Sequence, residues 1–137
     1  MGDSRFIGTW RLVTFDLRDG ANNLSYPYGG DAVGYISYGA DDFVHVQIMS
    51  SHRANFPSTV FSQATESQRA SAFATVLAYC GRYELKKDKV VHHVEICTVP
   101  NMVNSSQERS FEFKGNRLTL SGPLGPRHIA HLIWERN

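Results

Sequence analysis

The sequence predicts an all-β protein: a closed antiparallel β-barrel of eight strands, or slightly more, with one α-helix. Three observations predict it. Short segments rich in β-branched and aromatic residues recur along the chain, turn residues separate them, and one segment alone has helical spacing. Strands joined by hairpins form a meander, and closing the meander removes its exposed edges. The 137 residues are expected to form a single domain, 1–137, which is long enough to bury a core.

The eight predicted strands share this β-rich composition, and turn pairs such as Asp19-Gly20 separate them. They are Gly8–Leu17, Val33–Tyr38, Phe43–Met49, the two arms of a hairpin within Tyr79–Ile96, Gln107–Phe113, Arg117–Ser121 and Ile129–Arg136. The aromatic segment Tyr26–Gly30 is predicted to be a loop. The proline-containing segment Gly122–Pro126 is predicted to break the chain before the last strand.

One segment has helical rather than strand periodicity. Thr65 and Gln68 fit a capping box at a helix N-terminus. Four apolar residues then recur at helical spacing: Ala70, Phe73, Val76 and Leu77. The pattern predicts a helix over Thr65–Ala78 whose apolar stripe lies against the sheet or plugs the barrel.

The hairpin that follows the helix holds the densest group of ionisable residues, with a polar turn near Lys87-Asp88. Alternation divides its side chains between two faces. The face predicted to line the interior carries Tyr79, Tyr83, Leu85, Val90, His92, Val94 and Ile96. The opposite face carries Arg82, Glu84, Val91, His93, Glu95 and Cys97. A single β-bulge would exchange these assignments.

The next hairpin also allows inward side chains to be predicted. A two-residue loop at Lys114-Gly115 places three apolar side chains on the core face. These are Phe111, Leu118 and Leu120. Arg109 shares their face, either as a buried guanidinium that needs a partner or at the barrel mouth with its head group in water. The same loop predicts an ion pair between Glu112 and Arg117 on the outer face.

These inward and outward polar residues are the candidates for chemistry. A neighbouring carboxylate raises the pKa of a histidine and burial lowers it, and either shift can suit acid–base catalysis. The candidate catalytic residues are His92, His93, Glu95 and Arg109, with Arg109 stabilising a developing negative charge. The aromatic content of 12% suits a lined pocket. The candidate substrate-binding residues are Tyr35, Tyr79, Tyr83, Phe111 and Leu120. The alternatives are a hydrogen-bonded surface pair for His93 with Glu95, and a satisfied core histidine for His92.

Composition argues against several classes of function. The formal charge of +1 leaves no basic surface for nucleic acid. No apolar run approaches the roughly 18 residues of a membrane span, and the N-terminus lacks a hydrophobic signal segment. The two cysteines, Cys80 and Cys97, are expected to be free thiols, with a disulfide as the alternative. The sequence therefore predicts a cytoplasmic protein with neither nucleic acid nor membrane as a partner.

The sequence also gives little indication of a metal or cofactor site. Adjacent strand residues point to opposite faces, so His92 and His93 cannot chelate one ion. A mixed site of His93, Glu95 and a distant histidine is the remaining alternative for a metal. No phosphate-binding loop, dinucleotide fingerprint, zinc spacing or nucleophile elbow occurs. We therefore expect no cofactor and no metal.

Several segments together resemble the small lipocalin-like domain family of bacteria and fungi. The resemblance includes a tryptophan near the N-terminus, Trp10, that an arginine of the closing strand, Arg136, covers. The matching segments are Gly8–Val13, Tyr26–Gly29, Val33–Tyr35, Val46–Ile48, Leu77–Glu84, Val90–Glu95 and Arg117–Leu120. The resemblance implies a lipocalin-like β-barrel with a pocket for a small, largely apolar molecule. The chain also resembles, at the level of the fold, barrels that act in natural-product pathways as cofactor-free cyclases or isomerases.

Two functions remain open from the sequence. The first is a cofactor-independent isomerase or cyclase that acts on a small hydrophobic metabolite, in secondary metabolism. The alternative is a non-catalytic carrier or sensor for a small apolar ligand. Apolar residues on both faces of two strands, such as Ile36 and Tyr35, indicate either cover by the helix or a homodimer interface.

Overall fold

The computed structural model describes residues 3–137, which form a closed antiparallel β-barrel. Its strands are β1 (Gly8–Arg18), β2 (Leu24–Ser25), β3 (Val33–Tyr38), β4 (Phe43–Met49), β5 (Val76–Leu85), β6 (Lys89–Cys97), β7 (Ser106–Lys114), β8 (Arg117–Leu124) and β9 (His128–Arg136). The helix α1 spans Glu66–Ala74. The strands pair in the order β2-β1-β3-β4-β5-β6-β7-β8-β9, and β1 also pairs with β9.

The pairing of β1 with β9 closes the barrel with eight long strands, which confirms the predicted fold class. The ninth, β2, is a two-residue segment paired only with the end of β1. Within residues 3–137, no helix has both the length and the apolar character needed to cross a membrane.

The two ends of the barrel differ: tight turns join the strands at one end, whereas three of the four connections at the other end are longer, the turn between β8 and β9 being the exception. The turns β3–β4, β5–β6 and β7–β8 and the start of β1 lie at the tight-turn end. The loop before β3, the helix α1 and the turn Pro100–Met102 lie at the opposite end. This polarity follows from antiparallel pairing of consecutive strands, and it decides where a pocket can open.

The N-terminal segment closes the tight-turn end. Phe6 is fully buried, and its ring meets the edges or faces of three other aromatic rings, those of Tyr38, Phe111 and Phe113. The Trp10 indole N–H donates to the Phe6 carbonyl over 3.0 Å. The Arg136 guanidinium lies 4.0 Å from the centre of the Trp10 ring and donates to the carbonyls of Arg5 and Ile7. The expected cover of Trp10 by Arg136 is therefore confirmed.

The helix is shorter than predicted and does not plug the barrel. The capping box is present, because Thr65 accepts from the Gln68 N–H and the Gln68 side chain accepts from Thr65. The helix ends at Ala74, however, and none of its residues is buried. Phe73, which was expected on the packing stripe, is 50% exposed. The segment Val76–Ala78 instead pairs with β4 as the start of β5, so tertiary pairing outweighs the local helical spacing.

A β-bulge divides the β5–β6 hairpin. Tyr83 pairs with His92 and Gly81 with Val94, as the predicted alternation requires. The register then shifts between Cys80 and Gly81, and one extra residue of β6, Glu95, is left without a partner. Beyond the bulge, towards Cys97, the side chains of β6 lie on the opposite faces from those that simple alternation predicts.

This exchange corrects the prediction at the end of β6. Ile96, which was expected inside, is 69% exposed. Cys97, which was expected outside, pairs with Tyr79, and its thiol lies near Met102 at the long-loop end. Because Cys80 pairs with Ile96, the two cysteines do not face each other, and both are free thiols.

Gly81 is required at the bulge because β6 approaches it closely. A Cβ atom at this position would lie 1.8 Å from the carbonyl oxygen of His93. We expect Gly81→Ala to lower the free energy of unfolding by about 1–3 kcal/mol, the usual cost of forcing backbone shifts in a packed site. Gly20→Ala is the matched control, because no atom of residues 3–137, apart from those of its chain neighbours, lies within 4 Å of its added Cβ. Urea unfolding of both variants measures the difference, and equal stabilities would contradict the expectation.

The β7–β8 hairpin has a different register from the predicted one. Lys114 pairs with Arg117, so the turn is Gly115-Asn116, with Gly115 at a φ of 61° that glycine adopts without strain. The shift is two residues, so the predicted inward face is kept and Phe111 pairs with Leu120. The expected Glu112–Arg117 pair is wrong, because Arg117 instead lies 3.3 Å from Glu135 of β9.

Strand β8 also extends further than predicted. It continues through Gly122 and Pro123 to Leu124 rather than ending at Ser121. Pairing with β7 stops at Ser121, while pairing with β9 continues to Leu124. A proline is tolerated here because the ladder between β8 and β7 has already ended at Ser121, so Pro123 lies on an edge of the pairing.

Candidate ligand-binding site

A cavity of about 170 Å³ occupies the barrel interior towards the long-loop end. Its lining residues are mostly apolar side chains from the inward faces of the strands, with two loops over them. They are Phe15, Pro27, Tyr28, Ile36, Val46, Ile48, Leu77, Tyr79, His92, Val99, Met102, Arg109, Leu120, Leu124, Ala130, Leu132 and Trp134. An apolar cavity of about 150 Å³ accepts a benzene molecule, so this one suits a compact, ring-sized ligand.

Two loop segments cover the cavity at the long-loop end. Tyr28, in the loop before β3, packs its ring 5.7 Å from that of Phe15. Met102 lies in the turn Pro100–Met102 between β6 and β7. These segments are the parts of the lining that lie outside strands, so they are where a ligand would enter.

His92 is the central polar side chain of the interior. It is 1% exposed, and both ring nitrogens have tyrosine partners. The Tyr38 hydroxyl lies 2.7 Å from Nε2, and the Tyr79 hydroxyl lies 2.7 Å from Nδ1. Burial, with smaller contributions from the charges of Arg109 and His93, lowers the pKa of His92 to about 3. The imidazole is therefore neutral at pH 7.

The two tyrosines of this network stay protonated. Burial raises the pKa of Tyr38 and of Tyr79 well above the ordinary tyrosine value, and the nearby Arg109 charge offsets only part of that effect. Both hydroxyls therefore keep a proton that they can donate. The network is a row of neutral hydrogen-bonding groups that runs from the tight-turn end towards the cavity.

Arg109 lines the same cavity from β7. Its guanidinium donates to the Glu108 carbonyl over 2.8 Å and to Gln107 Oε1 over 3.2 Å. Among residues 3–137 it forms no ion pair with a carboxylate. Burial lowers its pKa. A Cβ at Gly122 of β8 would lie 3.1 Å from the Arg109 side chain, so this glycine leaves room for it.

The other two candidate catalytic residues lie on the outer face. His93 is hydrogen-bonded through Nδ1 to Ser106 Oγ over 3.0 Å and through Nε2 to Glu84 Oε1 over 2.8 Å. Glu95 is half exposed and lies 3.8 Å from the Arg82 guanidinium. The structure thus brings His92 and Arg109 to one cavity and places His93 and Glu95 outside it.

The candidate substrate-binding residues also divide. Tyr79 and Leu120 line the cavity. Tyr35 lies on the outer face and is 49% exposed, while Tyr83 donates its hydroxyl proton to the Gly39 carbonyl. Phe111 packs against Phe6 at the tight-turn end. The last three do not line the cavity.

Sequence reasoning missed several lining or supporting residues. Tyr38 partners His92, and the alternation of β3, with Ile36 inward, is the signal that places it inside. Leu77 was assigned to the helix, and the loop residues Tyr28 and Met102 carry no pattern that indicates an inward side chain. Non-local packing alone brings the loop residues to the cavity.

In residues 3–137, no three His, Cys, Asp or Glu side chains are grouped as they would be around a metal ion. The mixed site of His93, Glu95 and a distant histidine is therefore not assembled in this part of the chain. The polar chemistry of the cavity is that of His92, Arg109 and the tyrosines.

Comparison with known proteins decides the family. A family model of a lipocalin-like domain matches residues 7–136. The chain is a member of the lipocalin-like domain family. The match covers the whole barrel of this lipocalin-like protein, from Ile7, the residue before β1, to Arg136 at the end of β9.

Two further comparisons concern a relative and a fold. The lipocalin-like protein is 33% identical over 89 residues to the 4'-hydroxy-3'-methoxypropiophenone carrier protein ppsC of Aspergillus oryzae, over 56% of this chain and 80% of that relative. A redesigned β-barrel of solved structure matches with a TM-score of 0.50 at 11% identity, covering 98% of this chain and 93% of that one. The second likeness concerns the barrel fold alone.

Proposed function

We propose that this lipocalin-like protein is a non-catalytic binding protein, a carrier for a compact and largely apolar ligand of about one aromatic ring. The observation that carries the proposal is the apolar cavity of about 170 Å³ inside the barrel. A small set of polar groups beside an apolar wall is the usual composition of a small-molecule site. The similarity to ppsC, named as the carrier of an aromatic ketone, supports the same ligand class.

The alternative, a cofactor-independent isomerase or cyclase, has less support. A histidine whose pKa is lowered to about 3 is a weak base near neutral pH. Both ring nitrogens of His92 already have tyrosine partners, so neither is free for a substrate proton. His93 and Glu95, the other acid–base candidates, lie on the outer face.

Binding of a ring-sized probe tests the proposal directly. We expect propiophenone to bind the purified protein with one-to-one stoichiometry in native mass spectrometry and calorimetry, and to be recovered chemically unchanged after long incubation. Absence of binding at millimolar probe, with no ligand retained from purification, would show that the cavity is not a site for this class. Recovery of a converted product would favour the enzyme instead.

A cavity-filling variant links this binding to the barrel interior. Ala130 is buried and lines the cavity, so Ala130→Phe places a ring where the ligand would lie. A ligand of about ten heavy atoms that contributes at least about 0.3 kcal/mol per atom should then lose about 3 kcal/mol, or roughly 100-fold in affinity. Ile129→Phe, at the exposed neighbouring position on the outer face, is the matched control and should bind like the wild type. Equal affinities of the two variants would place the site elsewhere, and circular dichroism verifies that both fold.

A further inference from the structure

The number of protons in the row formed by Tyr38, His92 and Tyr79 limits which group can donate each hydrogen bond. A neutral imidazole has one N–H donor and one nitrogen acceptor. Its two partners here are both tyrosine hydroxyls, each 2.7 Å from a ring nitrogen. One tyrosine must therefore donate to the ring, and the other must accept from it. The accepting tyrosine is left with its own O–H hydrogen to place.

The two tautomers of His92 leave that hydrogen in different surroundings. If Nε2 carries the proton, Tyr38 is the acceptor and its O–H needs another partner. Tyr38 is 1% exposed, does not line the cavity and has no second hydrogen bond within residues 3–137. If Nδ1 carries the proton, Tyr79 is the acceptor, and its O–H belongs to a side chain that lines the cavity.

The cost of an unpaired buried donor separates these two states. A buried O–H without an acceptor is strongly unfavourable, whereas a hydroxyl at a cavity can bond to a ligand or to water. The closed environment of Tyr38 is formed by aromatic rings, with those of Phe6 and Tyr83 at 5.1 and 4.9 Å. The tautomer with the proton on Nδ1 is therefore favoured.

We propose that Tyr38 donates to His92 Nε2, that His92 Nδ1–H donates to the Tyr79 oxygen, and that Tyr79 directs its O–H into the cavity to bind an oxygen acceptor of the ligand together with Arg109. His92 is then a positioning residue, since both its ring nitrogens bond to tyrosines and it acts on the ligand's oxygen through the Tyr79 proton. The ligand part of this inference rests on the proposed function. The tautomer part does not.

Arg109, like Tyr79, has hydrogen-bond donors that a ligand with an oxygen acceptor would satisfy. Its guanidinium has five N–H donors and no acceptor, and the structure gives it two hydrogen bonds, to Gln107 and to Glu108. A carbonyl or carboxylate oxygen satisfies both Tyr79 and Arg109. A hydrocarbon offers no acceptor to the Tyr79 O–H or to the remaining Arg109 N–H donors once it displaces water, so a site of this kind discriminates strongly against it.

Matched ligands test the acceptor. Propiophenone and propylbenzene share a carbon skeleton and differ by the carbonyl oxygen. We expect the wild type to bind propiophenone at least about tenfold more tightly, which corresponds to about one hydrogen bond to a charged or buried group. In Tyr79→Phe the ratio should fall to within about threefold. Tyr83→Phe removes a hydroxyl that bonds to Gly39 rather than facing the cavity, and it should keep the wild-type ratio.

The outcomes of the ligand experiment separate two acceptor sources. In a second arm, benzoate replaces propiophenone as the ligand that is compared with propylbenzene. If Tyr79→Phe removes a preference for propiophenone, the acceptor is a neutral carbonyl. If it removes a preference for benzoate, the acceptor is a carboxylate. A preference that is unchanged by Tyr79→Phe in both arms overturns the ligand assignment. If no probe binds at all, the proposed function has failed, while the tautomer assignment is tested independently.

The tautomer is read by nuclear magnetic resonance without any ligand. In protein labelled with ¹⁵N-histidine, long-range proton–nitrogen correlations distinguish a protonated Nδ1 from a protonated Nε2, and His92→Gln identifies the signals of His92 among the six histidines. We expect a proton on Nδ1 at pH 7. A proton on Nε2 overturns the inference, because Tyr79 would then donate to the ring and not to a ligand.

Discussion

The protein is expected to lose about 5 kcal/mol of folding free energy as the pH falls from 6.5 to 3, through His92 alone. The pKa of His92 is lowered from its ordinary value of 6.5 to about 3 in the folded barrel. One pKa unit corresponds to about 1.36 kcal/mol, and the unfolded chain binds the extra proton throughout this interval. The contribution of neutral His92 to the free energy of unfolding is therefore fully present above pH 6.5, and it declines progressively as the pH falls towards 3.

The cause of this loss is the cost of placing a charge in the barrel interior. Burial is the largest contribution to the lowered pKa, and the Arg109 and His93 charges add to it. An imidazolium would also have two N–H donors, so both Tyr38 and Tyr79 would have to accept. In the proposed tautomer Nε2 accepts the Tyr38 hydroxyl proton across the 2.7 Å contact, and protonation of Nε2 removes that acceptor.

Urea unfolding between pH 4.5 and 6.5 isolates this contribution, because the lowered carboxyl pKa values of Asp3, Asp19 and Asp31 act below that range. The wild type should show a slope approaching 1.36 kcal/mol per pH unit. His92→Gln should lose most of the slope, since glutamine does not titrate. His45→Gln replaces an exposed histidine of β4 and should keep it. Parallel profiles for the wild type and His92→Gln would show that His92 does not carry the acid sensitivity.

Phe6→Ala is expected to destabilise the barrel by about 3–5 kcal/mol, the usual cost of truncating a fully buried phenylalanine. The Phe6 ring lies 4.9 to 5.1 Å from three aromatic rings, and its carbonyl accepts from the Trp10 indole. Truncation leaves a cavity below the tight-turn end and removes the edge-to-face contacts there.

Phe61→Ala is the matched control for this prediction. Phe61 is 77% exposed, so its truncation should change the free energy of unfolding by no more than about 0.5 kcal/mol. Chemical unfolding of both variants gives the comparison, and ligand affinity provides a second reading. The cavity lies towards the opposite end, so Phe6→Ala should keep binding where it remains folded. A loss below about 1 kcal/mol for Phe6→Ala would mean that the N-terminal segment does not close the barrel.

Much of the barrel could be predicted because strand alternation is a local property. The bounds of β3 and β4 and the presence of the β5–β6 and β7–β8 hairpins follow from a period of two along the chain, and the same period favours the inward position of His92. The capping box at Thr65 is likewise local, and it is present even though the helix is shorter than its apolar spacing predicts.

The errors occur where a distant strand decides the outcome. The segment Val76–Ala78 has helical spacing, yet β4 offers it a full set of backbone partners, so it forms the start of β5. Ile96 alternates inward along the chain, but the bulge at Gly81 turns it outward. Alternation carries no information on bulges, because the extra residue is defined only by the partner strand.

The sequence by itself determined the all-β class and the family, because these depend on local periodicity and on family-specific segments. It favoured an inward direction for His92, Tyr79 and Arg109, but a single β-bulge would exchange the two faces of the first hairpin, so the structure decided that these side chains line the cavity. Only the tertiary structure decided that His92 meets Tyr38 across the barrel, 54 residues away in the chain, while His93 and Glu95 lie outside. Contacts between distant strands are set by register and closure, and no local pattern encodes the row of hydroxyls and imidazole that results.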